Sequence, residues 1–162
     1  RPEPVAALGG ARGLRVGLAW RGNPQFASDF ARSLPGEALA PFRDVARCSF
    51  FSLMAPEHSA AIAAAGHGDW LTDLAPVTSP FEDLARVVAG LDVVVTICTS
   101  VAHLAGAMGK PTFLMLSRTP DWRWGREGAE TPWYPSVRIF RQRRFGRWGD
   151  VIADVAAALG AL

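Results

Sequence analysis

The segment at residues 91–97 constrains the fold more than any other part of this sequence. It contains the run Val93-Val94-Val95 and is apolar on both of its faces. Strands that are apolar on both faces are typical of parallel sheets that helices cover on either side. A helical pattern follows from Ser100 to about Met108, and we expect Thr99 to cap it. The chain therefore passes from a buried strand through a short turn into a helix.

Strand and helix patterns alternate along the rest of the chain. Apolar runs predict strands at residues 14–20, 49–53, 70–74, 112–116 and 137–140. Helices are predicted at residues 36–47, 57–65, 79–90 and 149–162, with Ser79 capping the third and Pro80 as its first residue. This alternation predicts an α/β domain, a Rossmann-like three-layer α/β/α fold with a mostly parallel sheet of five or six strands. Residues 1–13 are rich in Pro, Gly and Ala and are predicted to be a linker, so the domain takes up residues 14–162.

The composition excludes several classes of protein. The 162 residues suit one domain, and 49% hydrophobic with 20% charged residues excludes a mainly disordered chain. A net charge of +2 gives no reason to expect nucleic acid or an anionic membrane as partner. Two cysteines, no C-x-x-C pair, three scattered histidines and no carboxylate cluster predict neither a metal site nor a bound cofactor.

The sequence shows no targeting segment and no membrane span. No apolar run approaches the roughly 18–20 residues that cross a bilayer, and no signal peptide opens the chain. We therefore expect a cytoplasmic protein. Because the first residue is Arg1 and not Met, we expect an excised domain or a processed product, and the missing part would hold half of a site.

The turn at Cys98, Thr99 and Ser100 is the first candidate site. Ligands of such folds lie outside the carboxyl ends of the strands, and a helix start offers free N–H groups and a positive dipole end to a phosphate. We assign the apolar face of this helix to Val101, Leu104, Ala105 and Met108. His103 lies off that face and could point toward a ligand at the helix start. The alternative is a capped, buried helix whose histidine satisfies a backbone carbonyl.

Two long loops provide the other candidates. The loop at residues 21–35 carries Arg21, Asn23, Gln25, Arg32 and Ser33. It lies beside the Thr99 turn if the first and fourth strands are neighbours, and Arg32 could then neutralise a diphosphate. The alternative is a solvated loop with surface arginines.

The second long loop, at residues 117–135, is crowded with aromatic residues. Asp121, Trp122 and Trp124 are candidate contacts for a sugar or an acceptor, since aromatic rings with Arg and Asp bind sugars or bases by stacking. The alternative is that these rings pack the loop onto the sheet.

A basic run follows the second loop, at residues 138–147, and contains five arginines. Nucleic-acid binding would need a stacking face or a groove-entering helix beside it, and neither is evident. We interpret the run as a solvated face or as a contact with an absent partner domain.

Seven segments together resemble one family. They are V-G-L-A-W-R-G-N-P at 16–24, R-S-L-P at 32–35, F-F-S-L at 50–53, T-S-V-A-H-L-A-G-A-M-G-K-P at 99–111, P-D-W-R-W at 120–124, P-W-Y-P at 132–135 and F-R-Q at 140–142. The chain resembles the C-terminal glycosyltransferase domain of bacterial tetratricopeptide-repeat proteins. That domain is similar to the nucleotide-sugar half of the heptosyltransferases, glycosyltransferase family 9.

The resemblance implies one half of a GT-B fold, which binds the nucleotide diphosphate of a sugar donor for metal-independent glycosyl transfer. It implies that Thr99 and Ser100 hold the diphosphate, that His103 faces the donor as the candidate catalytic residue, and that Arg32 contacts phosphate. The full candidate set for donor binding is Arg21, Asn23, Arg32, Ser33, Cys98, Thr99, Ser100 and His103. The implied partners are the donor, an N-terminal Rossmann-like half that would supply the general base, and tetratricopeptide repeats.

The sequence departs from that family at two positions. Cys98 stands where an Asp usually precedes the Thr, and Met54 stands where a polar residue, often Gln, is common. These departures favour the alternative function, a non-catalytic GT-B-like scaffold or ligand-sensing module. For the isolated chain we expect binding of the donor without turnover.

Overall fold

The fold is built on one sheet of six parallel strands. The computed structural model describes residues 5–78 and 80–162. The strands are β1 (Leu14–Ala19), β2 (Cys48–Ser52), β3 (Leu71–Asp73), β4 (Val93–Ile97), β5 (Thr112–Leu116) and β6 (Val137–Arg141). Their order across the sheet is β3-β2-β1-β4-β5-β6, and every neighbouring pair is parallel. The predicted α/β class and Rossmann-like sheet are confirmed, with six strands, all of them parallel.

Helices connect the strands. The α-helices are α1 (Asp29–Arg32), α2 (Ser59–Ala64), α3 (Ala75–Thr78), α4 (Phe81–Gly90), α5 (Ser100–Ala107) and α6 (Gly149–Gly160). Short 3-10 helices occur at Ala6–Leu8, Gly36–Asp44, Pro56–His58 and Trp122–Trp124. Among the residues that the structure describes, no helix is long and apolar enough to cross a membrane.

The centre of the sheet explains why the sequence of β4 is apolar throughout. β4 lies between β1 and β5, and all five of its residues are buried. All five residues of β5 are buried as well. A strand with covered faces on both sides has no solvent-facing positions, so its sequence does not alternate.

The helical prediction at residues 36–47 is wrong in type. The segment forms a 3-10 helix, Gly36–Asp44, that contains Pro41. Proline has no backbone N–H to donate and its ring clashes with the carbonyl four residues earlier, so it opposes a continuous α-helix. The helix predicted at 57–65 is divided into the 3-10 turn Pro56–His58 and α2.

Two helix starts differ from the sequence prediction. Helix α4 begins at Phe81 with Pro80 in extended backbone before it, so Pro80 is not its first residue. The predicted cap, Ser79, lies outside the described residues. Thr99 does hold the N-cap position of α5, but its side chain makes no capping hydrogen bond.

The described part of the predicted linker contacts the domain. Leu8, in the 3-10 turn Ala6–Leu8, is only 2% exposed and belongs to the main hydrophobic core. A second, smaller cluster of buried residues joins α5 to β5, β6 and the second long loop, residues 117–135, which is called the aromatic loop below. The cluster consists of Ala102, Leu114, Leu116, Trp124, Val137 and Ile139. The aromatic loop is therefore anchored through Trp124 to the side of the sheet that carries α5.

Candidate functional site

A cleft of about 690 Å³ opens at the carboxyl edge of the sheet. The segments after β1, after β2 and after β4 form its walls, together with the start of α4. The lining residues on which the site depends are Arg21, Asn23, Arg32, Met54, Thr99 and Ser100. Strands β1 and β4 are neighbours, as predicted from the common strand order of such folds. The loop after β1 and the Thr99 turn therefore lie side by side.

The first turn of α5 is one wall of this cleft. Thr99, Ser100 and Val101 all line it. The Thr99 hydroxyl lies 3.5 Å from the hydroxyl of Thr96 and does not cap the helix. In the first turn of α5 the N–H of Ala102 donates to the carbonyl oxygen of Thr99 at 3.1 Å, and those of Ser100 and Val101 come too early in the helix for a partner within it. With no side-chain cap on them, they are available to an anion in the cleft.

The loop after β1 is held by a hydrogen-bonded network centred on Asp29. This carboxylate is 7% exposed and accepts from Arg32 Nε at 2.8 Å and from Ser33 Oγ at 2.7 Å. Ser33 Oγ in turn accepts from the backbone N–H of Gly22 at 2.9 Å. Hydrogen bonds among its own residues therefore hold this loop in place, which a solvated loop, the alternative left open by the sequence, would not require.

Arg32 joins this loop to the end of β4. Its Nη1 atom donates to the carbonyl oxygen of Cys98 at 2.7 Å, while its guanidinium lies over the ring of Phe26. The side chain keeps 21% of its surface exposed and lines the cleft. Sequence reasoning named Arg32 and missed Asp29. The spacing of Asp29 three residues before Arg32, within one helical turn, was the available signal.

The other predicted residues of the first loop occupy different places. Arg21 is exposed and lines the cleft. Asn23 lines it too, and its side-chain oxygen accepts from the backbone N–H of Gln25 at 2.9 Å, which fixes a tight turn. Ser33 does not line this cleft and serves the Asp29 network instead.

Cys98 points its thiol toward the aromatic loop. The Sγ atom accepts a hydrogen bond from Trp124 Nε1 at 3.0 Å. Burial raises the pKa of this thiol, so it stays protonated at neutral pH. Cys98 therefore contributes its carbonyl oxygen to the network of the first loop, and its side chain to the second loop.

His103 lies against the aromatic loop and is absent from the residues that line the cleft. Its Nδ1 atom is 3.0 Å from Tyr134 Oη, and its ring stacks on Trp124 with centroids 5.1 Å apart. Burial, reinforced by the charge of Arg123, lowers the pKa of His103, so the neutral ring prevails at pH 7. Its proposed part in catalysis stays a prediction.

The buried face of α5 also differs from the sequence prediction. Ala102 and Gly106 are buried, whereas Met108 is 40% exposed. A Cβ atom on Gly106 would lie 2.5 Å from Cγ of Tyr134, so the tyrosine ring packs directly on the glycine. The loop at residues 117–135 therefore covers one side of α5.

Met54 lies in the cleft wall but is 4% exposed. Its sulfur accepts from the backbone N–H of Trp20 at 3.4 Å. A thioether is a weak acceptor. Met54 thus accepts a hydrogen bond from the residue that follows β1, and it offers no strong polar group to a ligand.

The second loop divides its aromatic residues between core and surface. Trp124 is 2% exposed, whereas Trp122 is 71% exposed. Asp121 accepts from the backbone N–H and the guanidinium of Arg123. Arg141 supports the loop by donating to the carbonyl oxygens of Trp124, Gly125, Glu127 and Gly128.

The basic run after the loop is partly engaged within the protein. Besides Arg141, Arg143 pairs with Asp154 at 2.9 Å. Within residues 5–78 and 80–162, no group of three or more His, Cys, Asp or Glu side chains comes together as a metal site would require.

Comparison with known proteins assigns the family. The model of glycosyltransferase family 9 (heptosyltransferase) matches residues 50–147. This chain belongs to glycosyltransferase family 9. The match of this family 9 domain includes the end of β2, the Thr99 turn, α5 and the whole aromatic loop.

Two relatives extend the comparison beyond that range. Protein FlbA of Caulobacter vibrioides is 30% identical over 152 residues, which cover 91% of this chain and 25% of FlbA. The structure of the E. coli ADP-heptose LPS heptosyltransferase II matches with a TM-score of 0.62 at 15% identity, covering 98% of this chain and 50% of that one. The family 9 domain thus spans a quarter of FlbA and half of the heptosyltransferase.

Proposed function

We propose that this family 9 domain binds the nucleotide diphosphate of a sugar donor in the cleft, for metal-independent glycosyl transfer. The observation that carries the proposal is the meeting of Thr99 and Ser100, at the start of α5, with Arg21 and Arg32. A helix N-terminus carries roughly half a positive charge and presents unpaired N–H groups. Together with two guanidinium groups, it suits the negative charge of a diphosphate without a metal ion.

The two arginines have different parts in this proposal. Arg32 is oriented by Asp29 and by the Cys98 carbonyl, so its position is fixed before a ligand arrives. Arg21 is exposed and lines the cleft, where its guanidinium can meet the phosphates. Pre-ordering one cation lowers the entropic cost of binding, and the other supplies further charge.

Glycosyl transfer by the whole protein belongs to the same proposal. The domain covers half of the heptosyltransferase II chain, and the proposal assigns the general base to an opposite, N-terminal Rossmann-like half. The isolated chain accordingly binds the donor without transferring sugar. A cytoplasmic protein that also carries tetratricopeptide repeats is the context that we propose for it.

One observation favours a second function, a non-catalytic scaffold or ligand-sensing module. The side chains of Cys98 and His103 both contact Trp124 and not the cleft. These two members of the candidate set for donor binding thus hold the aromatic loop. A cleft without them would retain the fold and lose affinity for the donor.

Calorimetric titration with UDP, GDP and ADP tests the two functions. We expect one nucleotide to bind in the presence of a chelator, and Arg21→Ala to weaken it about tenfold. Arg144→Ala, an exposed arginine outside the cleft, is the matched control and should leave the affinity unchanged. Absence of binding by all three nucleotides at millimolar concentration would reject the donor site and favour the scaffold.

A further inference from the structure

Two tryptophans of the second loop are exposed yet held in place. Trp122 is 71% exposed and Trp133 is 56% exposed, and neither lines the cleft. We propose that these two rings, with Asp121 and with Arg123, whose guanidinium lies over the ring of Trp122, bind the ring of a saccharide that is separate from the nucleotide. These four residues are called the tryptophan corner below.

The corner has a defined shape. The two indole rings lie 6.4 Å apart between centroids and 85° apart in plane, so they form two nearly perpendicular apolar surfaces. Trp133 Nε1 donates to the carbonyl oxygen of Arg123 at 3.0 Å. The guanidinium of Arg123 lies 4.7 Å from the ring centre of Trp122 and pairs with Asp121 at 2.9 Å.

Neighbouring residues of the aromatic loop and of β6 hold the corner in place. Asp121 caps the 3-10 turn Trp122–Trp124, and Trp124 is buried in the smaller core cluster. Arg141 holds the following segment through its bonds to four carbonyl oxygens. Exposed rings that are already ordered lose little conformational entropy when a ligand binds.

The chemistry of the corner suits a sugar ring. A pyranose presents a face of C–H groups, which packs on an aromatic ring, and hydroxyl groups around its rim. Asp121 can accept hydrogen bonds from those hydroxyls, and Arg123 can donate to them. A neutral, hydroxyl-rich ligand requires a hydrogen-bond acceptor and a hydrogen-bond donor beside an aromatic face, and the corner has all three.

Two other ligand classes fit the corner less well. A flat nucleobase stacks best against parallel rings, and these rings are perpendicular. A stable protein interface buries about 800 Å² on each partner. Two indoles offer about 150–250 Å² each at most, so they do not amount to such an interface.

The corner is linked to the cleft through Trp124 and Cys98. Trp124, at the end of the corner's turn, donates to the thiol of Cys98, and the carbonyl of Cys98 accepts from Arg32 in the cleft wall. Both places therefore lie along the same edge of the sheet. A saccharide in the corner would lie beside the cleft, where an acceptor is needed.

Saturation-transfer difference NMR with a panel of methyl glycosides tests the corner directly. We expect transfer to the ring C–H protons of at least one glycoside, and a loss of affinity of about tenfold in Trp122→Ala. Phe145→Ala, at an exposed aromatic residue outside the loop (56%), is the matched control and should retain binding. Because Trp122 is at the surface, an unchanged thermal midpoint will show that the variant is folded.

Four outcomes would overturn the inference. Three of them are transfer to none of the glycosides at tens of millimolar, equal transfer in Trp122→Ala, and loss of transfer in Phe145→Ala. A fourth arm adds a saturating nucleotide diphosphate, which should leave the glycoside signal in place; competition would move the sugar into the cleft and reject the corner. Because the glycosides carry no nucleotide, failure of the corner and failure of the cleft give different results.

Discussion

Arg32 Nη1 donates to the carbonyl oxygen of Cys98 at 2.7 Å, across 66 positions of the chain. This single bond connects the loop after β1 with the turn that begins α5. Asp29 orients the guanidinium that makes it. The cleft therefore depends on a carboxylate that does not itself line it.

Replacing Asp29 tests that dependence. Asp29→Asn keeps the shape of the side chain but removes a buried charge that accepts from Arg32 and Ser33, so we expect unfolding free energy to fall by about 2 kcal/mol. Urea denaturation measures the change. Asp69→Asn is the control, since Asp69 pairs with Arg43 at an exposed site and should cost under about 1 kcal/mol. Equal losses in the two variants would contradict a special role for Asp29.

Tyr134 of the aromatic loop packs directly on Gly106 of α5. In Gly106→Ala the new Cβ would meet the Tyr134 ring at 2.5 Å, so the ring must shift, and we expect a loss of about 1–3 kcal/mol of stability. Gly160→Ala, in the last turn of α6 with open space around it, should be neutral or slightly stabilising. Thermal denaturation distinguishes the two. A neutral Gly106→Ala would mean that the loop does not pack on α5 in solution.

The lowered pKa of His103 predicts a pH dependence of stability. Burial, with the charge of Arg123, disfavours the charged ring in the folded state, whereas the unfolded chain takes up a proton near the ordinary pKa of about 6.5. The folded state is therefore favoured above that value, and this contribution is lost as the pH falls toward the lowered pKa. The thermal midpoint should drop between about pH 7 and pH 5.

The control for that prediction removes the titrating group. In His103→Gln the part of the pH dependence due to the histidine should disappear, while His58→Gln should retain it. An identical pH profile for wild type and His103→Gln would show that His103 does not titrate differently in the folded state.

Arg141 should determine how firmly the aromatic loop is held. Arg141→Met removes donors to four carbonyl oxygens but keeps much of the apolar stem, and we expect a cost of about 2 kcal/mol. Limited trypsin digestion should then cleave the loop at Arg123 or Arg126 faster than in the wild type. Arg144→Met is the matched control, and equal cleavage in both variants would contradict the assignment.

The sheet could be predicted from the sequence because its signal is local. A continuous apolar run indicates a parallel strand that is covered on both faces, and both Val93-Val94-Val95 and β5 have such a run. The small polar residues between β4 and α5 likewise indicate a turn. The 3-10 helix at Gly36–Asp44 could have been predicted in the same way, because Pro41 within it opposes a continuous α-helix.

The side-chain partners could not be predicted in the same way. His103 lies off the apolar stripe of α5, which suggested that it points toward a ligand, yet its partner Tyr134 is 31 positions away. Likewise, nothing local to Cys98 indicates that its thiol accepts from Trp124. Such pairings arise only when the loops fold over the sheet edge, so the cleft could be located but the roles of these two residues could not.

Cys98 makes two contacts that limit substitution at position 98 to different degrees. Its link to Arg32 uses the backbone carbonyl, which every amino acid possesses, so substitution at position 98 leaves that link available. Its link to Trp124 uses the thiol as an acceptor, so a substitution at position 98 keeps that link only where the new side chain can also accept a hydrogen bond. Among relatives with Trp at position 124, position 98 should therefore hold an acceptor such as Cys, Asp or Ser, while position 32 varies independently of both.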